Sequence, residues 1–324
     1  RPYAAFNETM PKYIVRGKGC RIWDMEGKEY IDFRLALGPI TLGYCYDEVD
    51  NAVRAQLENG VLFSMASPIE LELAKLIHEV IPNAEMVRFM KTGEDANLSN
   101  IRIARAHTKR DMILTSGYHG YPDWFAVEES PNNGVPLMLK DYVKVIPWGN
   151  LEVAEKLIRQ YNERIACVIS IPYDMNEDVS GSYIKHLRKL TKEYGILLVL
   201  DEVWTGFRLA LGGAQEYFGV DPDLASYAKA MANGYPISTY VGKRQYMSEL
   251  NQFRMTTTYA GETLSMAAAI ATISIMKREP VHKHLWAMGE RLMQGFNQIA
   301  KDLGVEGYAA GLPPSSFLKF NTPD

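Results

Sequence analysis

Residues 195–203 read GILLVLDEV, an unbroken apolar run that ends in two carboxylates. Such a run is typical of a strand that is buried on both faces, as in a parallel sheet. Other apolar runs stand at residues 86–90 (MVRFM), 111–116 (DMILTS) and 166–171 (ACVISI), and helical patterns lie between the runs. This alternation predicts an α/β fold with crossover connections and a mainly parallel central sheet.

The two ends of the chain have a different pattern. Residues 21–33 predict two short strands about a glycine turn. The last strand pattern has only begun where the sequence stops, so we expect that the ends are either trimmed or absent from this sequence. We expect a large domain over residues 51–277, and a small α+β domain that combines residues 1–50 with residues 278–324.

Composition and charge disfavour several classes of partner. The 324 residues are 47% hydrophobic and 23% charged, which is ordinary for a globular protein. A formal net charge of -4 gives no electrostatic reason to expect nucleic acid or an anionic membrane. Cys20, Cys45 and Cys167 are far apart in the sequence and stand in no CxxC pair, so no disulfide framework and no metal site is expected. A reducing cytoplasm fits this cysteine usage.

Three polar features follow predicted strands, where ligand groups collect in an open parallel sheet. The first is residues 92–96 (TGEDA), which come directly after MVRFM and open a helical pattern. The free backbone N–H groups and the positive dipole end of a helix N-terminus suit a phosphate. The alternative is that Thr92 or Asp95 only caps the helix.

The second feature is Asp201, at the end of the strongest apolar run. A carboxylate that emerges from such a strand is costly unless it meets a cation or several donors. It could serve a metal, a sugar hydroxyl or a protonated ring nitrogen, or it could cap a loop. The third feature is Lys229, which follows another apolar run. A desolvated lysine becomes a nucleophile for carbonyls, whereas a snorkelling lysine at a strand end is the plainer alternative.

Asp201 and Lys229 together narrow these alternatives. The lysine follows the aspartate by 28 residues, and both stand at predicted strand ends. A pyridoxal phosphate enzyme needs such a pair, because the carboxylate keeps the pyridine nitrogen protonated while the amine holds the aldehyde and later moves a proton.

Residues 200–238 (LDEVWTGFRLALGGAQEYFGVDPDLASYAKAMANGYPIS) resemble the cofactor segment of class III aminotransferases, and most closely that of the glutamate-1-semialdehyde aminomutase group. The resemblance extends over nearly the whole chain, through IWDMEGKEYIDF (22–33), GPITLGY (38–44), RIARAHTKRDMIL (102–114), YHGYPDWF (118–125) and TTTYAGETLSMAAA (256–269). It implies a fold-type I transferase with pyridoxal 5'-phosphate (PLP, or PMP in its amino form) as cofactor.

The resemblance also implies roles for individual residues. Lys229 would form the Schiff base, Asp201 would anchor the pyridine nitrogen, and Tyr118 would stack on the ring. Val203 would press on the opposite ring face, and strand alternation places positions 201 and 203 on the same side. The remaining cofactor contacts that it implies are Thr92, Gly93 and Glu94 at the phosphate, Asn176 near the phenolic oxygen, and His119. Thr258 would reach the cofactor of a neighbouring subunit, which predicts a homodimer.

Several positions are open to a second interpretation. His119 could be a structural histidine in a glycine-rich turn, and Arg208 could pair with Glu202 or with the loop of Asp201. Arg16 falls where the aminomutase binds the carboxylate of its substrate, although an arginine there could simply be solvated. Glu94 stands where relatives carry a small residue, and it would repel a phosphate unless its side chain turns away.

Further departures lie on the substrate side, where Ala36 and Leu37 replace a hydroxyl residue and an aromatic residue of the aminomutase pocket. We therefore expect an aminotransferase that moves an amino group between a small-molecule donor and a carbonyl acceptor. The alternatives are an intramolecular aminomutase or an epimerase, and a homologue that binds cofactor without turnover. A nicotinamide dehydrogenase is disfavoured, because no GxGxxG follows an early strand.

Overall fold

A seven-stranded sheet forms the centre of the structure, a computed structural model that describes residue 11 and residues 13–128, 134–175 and 178–320. The strands of the described residues are β1 (Ile14–Lys18), β2 (Arg21–Asp24), β3 (Glu29–Ile31), β4 (Met86–Met90), β5 (Met112–Ser116), β6 (Val143–Val145), β7 (Ile165–Ser170), β8 (Leu197–Asp201), β9 (Leu224–Tyr227), β10 (Ser238–Gly242), β11 (Gly307–Ala310) and β12 (Phe317–Phe320).

The order of strands in the central sheet is β4, β10, β9, β8, β7, β5, β6. Only β10 runs antiparallel to its neighbours, and the five strands from β9 to β6 are parallel. The predicted α/β fold with a mainly parallel sheet is therefore confirmed. The short strand β6 was not predicted, because three residues are too few to show a period.

Helices cover both faces of this sheet. Those of the described residues are α1 (Asp47–Leu57), α2 (Pro68–Val80), α3 (Gly93–Thr108), α4 (Asp123–Ala126), α5 (Leu151–Tyr161), α6 (Ser182–Glu193), α7 (Ala214–Phe218), α8 (Arg244–Met247), α9 (Thr263–Arg278) and α10 (Val281–Leu303). No helix in the described ranges is both long enough and apolar enough to cross a bilayer.

Strand β8 shows why its sequence is apolar throughout. Leu198 and Leu200 lie in the hydrophobic cluster that includes residues of α2, α6 and α9, whereas Leu197 and Val199 lie in a second cluster that includes residues of α3. Alternate side chains of a strand point to opposite faces, so both faces of β8 require apolar residues. The sheet is thus buried between two helical layers, and its polar groups concentrate at the strand ends.

The two ends of the chain form smaller sheets. Strands β1, β2 and β3 are antiparallel, and β11 pairs with β12 in an antiparallel hairpin. The pair of β2 and β3 is the one that the glycine turn of residues 21–33 predicts, whereas β1 precedes that segment. Arg208 connects both ends to the central part of the structure, because it donates hydrogen bonds to Gly38 and to Pro314.

Candidate active site

The carboxyl ends of two neighbouring parallel strands carry the predicted pair. Asp201 is the last residue of β8 and lies opposite Ser226 of β9 in the sheet register. Lys229 follows the end of β9 by two residues and begins a short 3-10 turn, with a backbone φ of 46° in the left-handed region. Because both strands run in the same direction, both residues lie at the C-terminal edge of the sheet.

Asp201 is buried and accepts three hydrogen bonds. The side-chain amide of Asn97, on α3, donates to Oδ2 at 2.7 Å, and Nδ1 of His119 lies 2.7 Å from the same oxygen. The backbone N–H of Val203 donates to Oδ1 at 3.0 Å. These hydrogen bonds hold the carboxylate of Asp201 in a fixed orientation.

Lys229 is largely desolvated. Its Nζ lies 4.6 Å from the centre of the Trp204 ring. Burial lowers the pKa of Lys229, while the charge of Asp201 opposes this effect and the charge of Arg208 adds to it. A lowered pKa enlarges the fraction of neutral amine, which is the form that attacks a carbonyl.

The N-terminus of α3 lies beside the aspartate. The hydroxyl of Thr92 accepts a hydrogen bond from the N–H of Asp95, whose carboxylate accepts one from the N–H of Thr92, so the capping alternative is real. Gly93 packs directly against Val203, and a Cβ added to it would lie 2.6 Å from Cγ2 of that valine. Glycine is required here, since any larger residue would collide.

Glu94 turns its carboxylate toward the loop that follows β5. A Cβ on Gly120 would stand 3.1 Å from Oε2 of Glu94. The charge of Glu94, together with a hydrogen bond between the two side chains, raises the pKa of Tyr121, which is 78% exposed. The carboxylate of Glu94 therefore has local partners. Because its charge is turned toward them, an anion could still bind at this helix end.

The same loop holds two predicted residues in different environments. Tyr118 is 62% exposed, and its ring meets Phe125 edge to face at a centroid distance of 5.6 Å. His119 is 2% exposed and contacts Asp201. An exposed aromatic ring and a buried imidazole are thus presented side by side at the edge of the sheet.

Two details differ from the sequence-based interpretation. Strand β8 ends at Asp201, so strand alternation does not extend to Val203, whose position is set by its contact with Gly93. Arg208 does not pair with Glu202, because its guanidinium donates to Gly38 O, Thr41 Oγ1 and Pro314 O. Glu202 instead accepts hydrogen bonds from Thr205 and from the N-terminal backbone of α7.

Two further predicted residues are exposed, and a third lies outside the residues that the structure describes. Arg16 is exposed on β1 and covers the ring of Trp23, with 3.8 Å between Cζ and the ring centre. Thr258 is exposed in the turn before α9. Asn176 lies outside the residues that the structure describes.

The sequence interpretation missed Asn97 and Trp204. Asn97 stands one helical turn after Gly93. A polar residue on the buried face of a helix that follows a strand was the signal that could have identified it. Trp204 follows the Asp201 strand end and donates from Nε1 to Ser315 Oγ at 2.9 Å. Its contact with the distant segment at Ser315 has no signature in the local sequence.

The chain is similar to known proteins in sequence and in structure. Residues 3–306 match the family "Aminotransferase class-III". The glutamate-1-semialdehyde 2,1-aminomutase of Sulfurihydrogenibium azorense is 38% identical over 320 residues, covering 93% of this chain and 75% of that protein. The 3-aminobutyryl-CoA aminotransferase of Cloacimonas acidaminovorans is 36% identical over 327 residues, covering 99% and 78%.

Among solved structures, the FumI protein of Sphingopyxis sp. MTA144 in its PLP internal aldimine form has a TM-score of 0.90 with 29% identity, covering 97% of this chain and 77% of that one. The family match spans nearly the whole chain and confirms both the predicted fold type and the predicted class of enzyme. The chain therefore belongs to the class III aminotransferase family.

Proposed function

We propose that this enzyme uses PLP to move an amino group from an amino donor to a carbonyl acceptor, with Lys229 as the amine that carries the cofactor. The observation that carries the proposal is the placement of Asp201 and Lys229 at the C-terminal ends of two adjacent parallel strands. The negative charge of Asp201 acts on the desolvated amine of Lys229, so both groups serve one site.

The residues of the site fit such a cofactor. The start of α3, a helix of 16 residues, offers N–H groups and a positive dipole end to a phosphate, and Gly93 lets Val203 approach the helix closely. Asp201 offers a buried, triply hydrogen-bonded carboxylate to a protonated ring nitrogen. The exposed ring of Tyr118 is suited to stacking on the cofactor ring.

When bound, PLP supplies an aldehyde that condenses with amines and a ring that accepts electrons. Asp201 would hold a proton at the ring nitrogen, because a fixed carboxylate favours the cation beside it. Lys229 Nζ would release its hold on the cofactor to the amino donor and take a proton from the α-carbon of that donor. The lowered pKa of Lys229 favours this role, since a neutral amine can accept the proton.

The remaining roles are proposed from the family resemblance. Val203 would contact the ring face opposite to Tyr118, and His119 would act on the cofactor through its contact with Asp201. Arg16 would bind a substrate carboxylate. Residues that would contact the cofactor elsewhere are Thr92, Gly93 and Glu94 at the phosphate, Asn176 at the phenolic oxygen, and Thr258 from a second subunit.

We also propose a cytoplasmic homodimer. Thr258 and Tyr259 are exposed in the turn before α9, where a second copy could receive them. The free cysteines Cys20, Cys45 and Cys167 agree with a reducing compartment. The division into residues 1–50, 51–277 and 278–324 is proposed on the separate small sheets at the two chain ends.

The role of Lys229 is tested by trapping. Borohydride reduction of the protein incubated with PLP is expected to attach the cofactor irreversibly to the peptide that contains Lys229, as measured by mass spectrometry. Lys229→Ala should lose the attachment and all transamination. Lys243→Ala is the matched control, because Lys243 follows β10 at the opposite edge of the sheet from Lys229 and forms an ion pair with Asp221. Attachment to another lysine would overturn the assignment.

An intramolecular aminomutase is the second candidate function, because the relative from Sulfurihydrogenibium azorense carries that name. The two functions differ in their need for a separate amino donor. We expect PMP-loaded protein to aminate members of a panel of carbonyl compounds in one turnover and to need a donor for the next. Sustained single-substrate turnover without a donor would favour the aminomutase, or an epimerase if the product is a stereoisomer. Trapping at Lys229 without any turnover would indicate a cofactor-binding homologue.

A further inference from the structure

Arg208 is a buried cation without an acidic partner. It is 6% exposed, and it forms no ion pair among the described residues. Its hydrogen bonds go to Gly38 O at 2.7 Å, Thr41 Oγ1 at 3.0 Å and Pro314 O at 3.3 Å, all of which are neutral acceptors. Burial of a charge without an ion pair is costly, so these three hydrogen bonds must hold the guanidinium in place.

The N-terminal acceptor of Arg208 belongs to an unusual turn. Leu35, Ala36, Leu37 and Gly38 have φ values of 49°, 54°, 71° and 103°, a left-handed run that is unfavourable for residues other than glycine. Oδ1 of Asp32 accepts N–H groups at the start of this turn, and Arg208 binds its last carbonyl. The turn is therefore held in place from both of its ends.

This turn faces the side chain of Lys229. A Cβ added to Gly38 would lie 3.8 Å from the ring of Trp204 and 3.9 Å from Cδ of Lys229. A methyl group would fit there in ordinary van der Waals contact, so the backbone at Gly38 faces Trp204 and the stem of Lys229 across a narrow gap. The position of the turn consequently limits where the amine can move.

The C-terminal acceptor of Arg208 has the same neighbours. Pro314 precedes Ser315, whose hydroxyl accepts a hydrogen bond from Nε1 of Trp204 at 2.9 Å. The ring of Trp204 in turn lies 4.6 Å from Nζ of Lys229. The two segments that Arg208 joins, one from each end of the chain, thus both touch the groups that surround this amine.

We propose that Arg208 is a positioning residue that joins residues 38–41 to residues 312–315 and so fixes the wall of the active site around Lys229. It positions these segments through its hydrogen bonds. The inference rests on the proposed role of Lys229 as the reactive amine. It adds that one residue, Arg208, holds segments from both chain ends in place beside Lys229.

The charge of Arg208 supports this inference. The charged groups that act on Lys229 are Asp201 and Arg208, on the segments packed against it, and they act in opposite directions. The positive charge of Arg208 lowers the pKa of the amine, whereas Asp201 raises it. Removal of the guanidinium should therefore make Lys229 harder to deprotonate, in addition to loosening the two segments.

The experiment compares Arg208→Gln with Arg208→Lys, which keeps the charge but loses the forked geometry. Arg110→Gln is the matched control, because Arg110 also donates to two carbonyls, those of Ile165 and Gly195, at the opposite edge of the sheet. Two quantities are measured on the full chain without added cofactor, and kcat/KM is measured separately on the PLP-loaded protein. One is the pH midpoint at which Lys229 reacts with fluorodinitrobenzene, by peptide mass spectrometry, and the other is amide hydrogen exchange over residues 35–42.

Arg208→Gln is expected to move the Lys229 midpoint to higher pH and to accelerate exchange over residues 35–42. Its kcat/KM should fall by about a hundredfold, because small misplacements near a reacting group have effects of that size. Arg208→Lys should keep the midpoint near that of the original protein while exchange still accelerates. Arg110→Gln should change neither quantity.

A folded Arg208→Gln protein with an unchanged midpoint and unchanged exchange would overturn the inference. Should that variant fail to fold, Thr41→Val removes one acceptor and leaves the charge, and unchanged exchange in Thr41→Val together with Arg208→Lys would also reject it. The labelling reports the proton affinity of Lys229 whether or not the protein transaminates. Failure of the proposed function, seen as PLP trapped elsewhere than Lys229, is therefore distinguishable from failure of this inference.

Discussion

Nδ1 of His119 lies 2.7 Å from Oδ2 of Asp201, and both side chains are buried. The imidazole therefore donates to the same oxygen that Asn97 binds from α3. Because the N–H of Val203 binds the other oxygen, the carboxylate is fixed by the β5 loop, by α3 and by its own chain. The direction in which Asp201 presents its charge thus depends on residues far away in the sequence.

Replacement of His119 tests this dependence. Within the described chain Nε2 of His119 has no hydrogen-bond partner, so His119→Leu removes essentially one bond to a charged acceptor. Such a bond contributes about 1.5–3 kcal/mol, so the Kd for PLP should rise by about tenfold or more. His119→Asn, which can place an amide nitrogen near Nδ1, should recover much of the affinity. Equal affinities for PLP in the two variants, measured by fluorescence titration, would contradict a hydrogen-bonding role.

Gly93→Ala tests the close contact with Val203. The added Cβ would lie 2.6 Å from Cγ2 of the valine, and overpacking of this kind costs about 1–3 kcal/mol of unfolding free energy. Gly93→Ala combined with Val203→Ala should recover most of the lost stability in denaturant unfolding. Gly295→Ala is the control, because a Cβ there meets nothing within 4 Å, and it should stabilise helix α10 by about 0.5–1 kcal/mol.

Glu94→Gln tests whether a phosphate binds at the start of α3. The change removes a negative charge beside the proposed phosphate position while an amide can still bond to Tyr121. We expect PLP to bind about threefold more tightly at low ionic strength, with a smaller gain at high salt. Glu70→Gln, in the first turn of α2, is the control and should leave the affinity unchanged. An unchanged affinity in Glu94→Gln would place the phosphate elsewhere.

The buried carboxyl of Glu202 predicts a pH dependence of stability. Burial raises the pKa of Glu202 from 4.5 to about 7, although hydrogen bonds from Thr205 and the backbone oppose the shift. Between these two values the folded state keeps a proton that the unfolded state has released. The contribution of this group is therefore fully present below about pH 4.5 and is lost as the pH rises through about 7.

Glu202→Gln removes this titration. The difference in unfolding free energy between the original protein and the variant should decrease as the pH rises from 4.5 to 7 and then stay level. Denaturant unfolding at a series of pH values measures it. A difference that does not change with pH would show that Glu202 does not titrate in this window.

Arg16→Ala tests the proposed carboxylate contact. The guanidinium covers the ring of Trp23 on an exposed strand, so its loss should leave the core intact. For a substrate that carries a carboxylate we expect KM to rise by about tenfold with little change in kcat, since only ground-state binding is removed. A carbonyl acceptor without a carboxylate is the matched control substrate. An unchanged KM for both substrates would reject the role.

The sequence by itself determined the central sheet and the pair at its edge. An apolar run such as residues 196–200 can be buried on both faces only in a covered, mainly parallel sheet, and a carboxylate at its end must lie at the sheet edge. The start of α3 could also be predicted from neighbouring residues, because the cap at Thr92 and the glycine after it belong to one short segment. These features depend on period, burial and neighbours in the chain, all of which a sequence contains.

Only the tertiary structure decided which side chains surround that pair. Asn97 and His119 reach Asp201 across 104 and 82 residues of chain, and Arg208 reaches Gly38 across 170. The alternative in which Arg208 pairs with Glu202 is not found among the described residues, because the two side chains bind different parts of the packed interior. Such contacts depend on how helices and chain ends pack on the sheet, and no local pattern of residues records that packing.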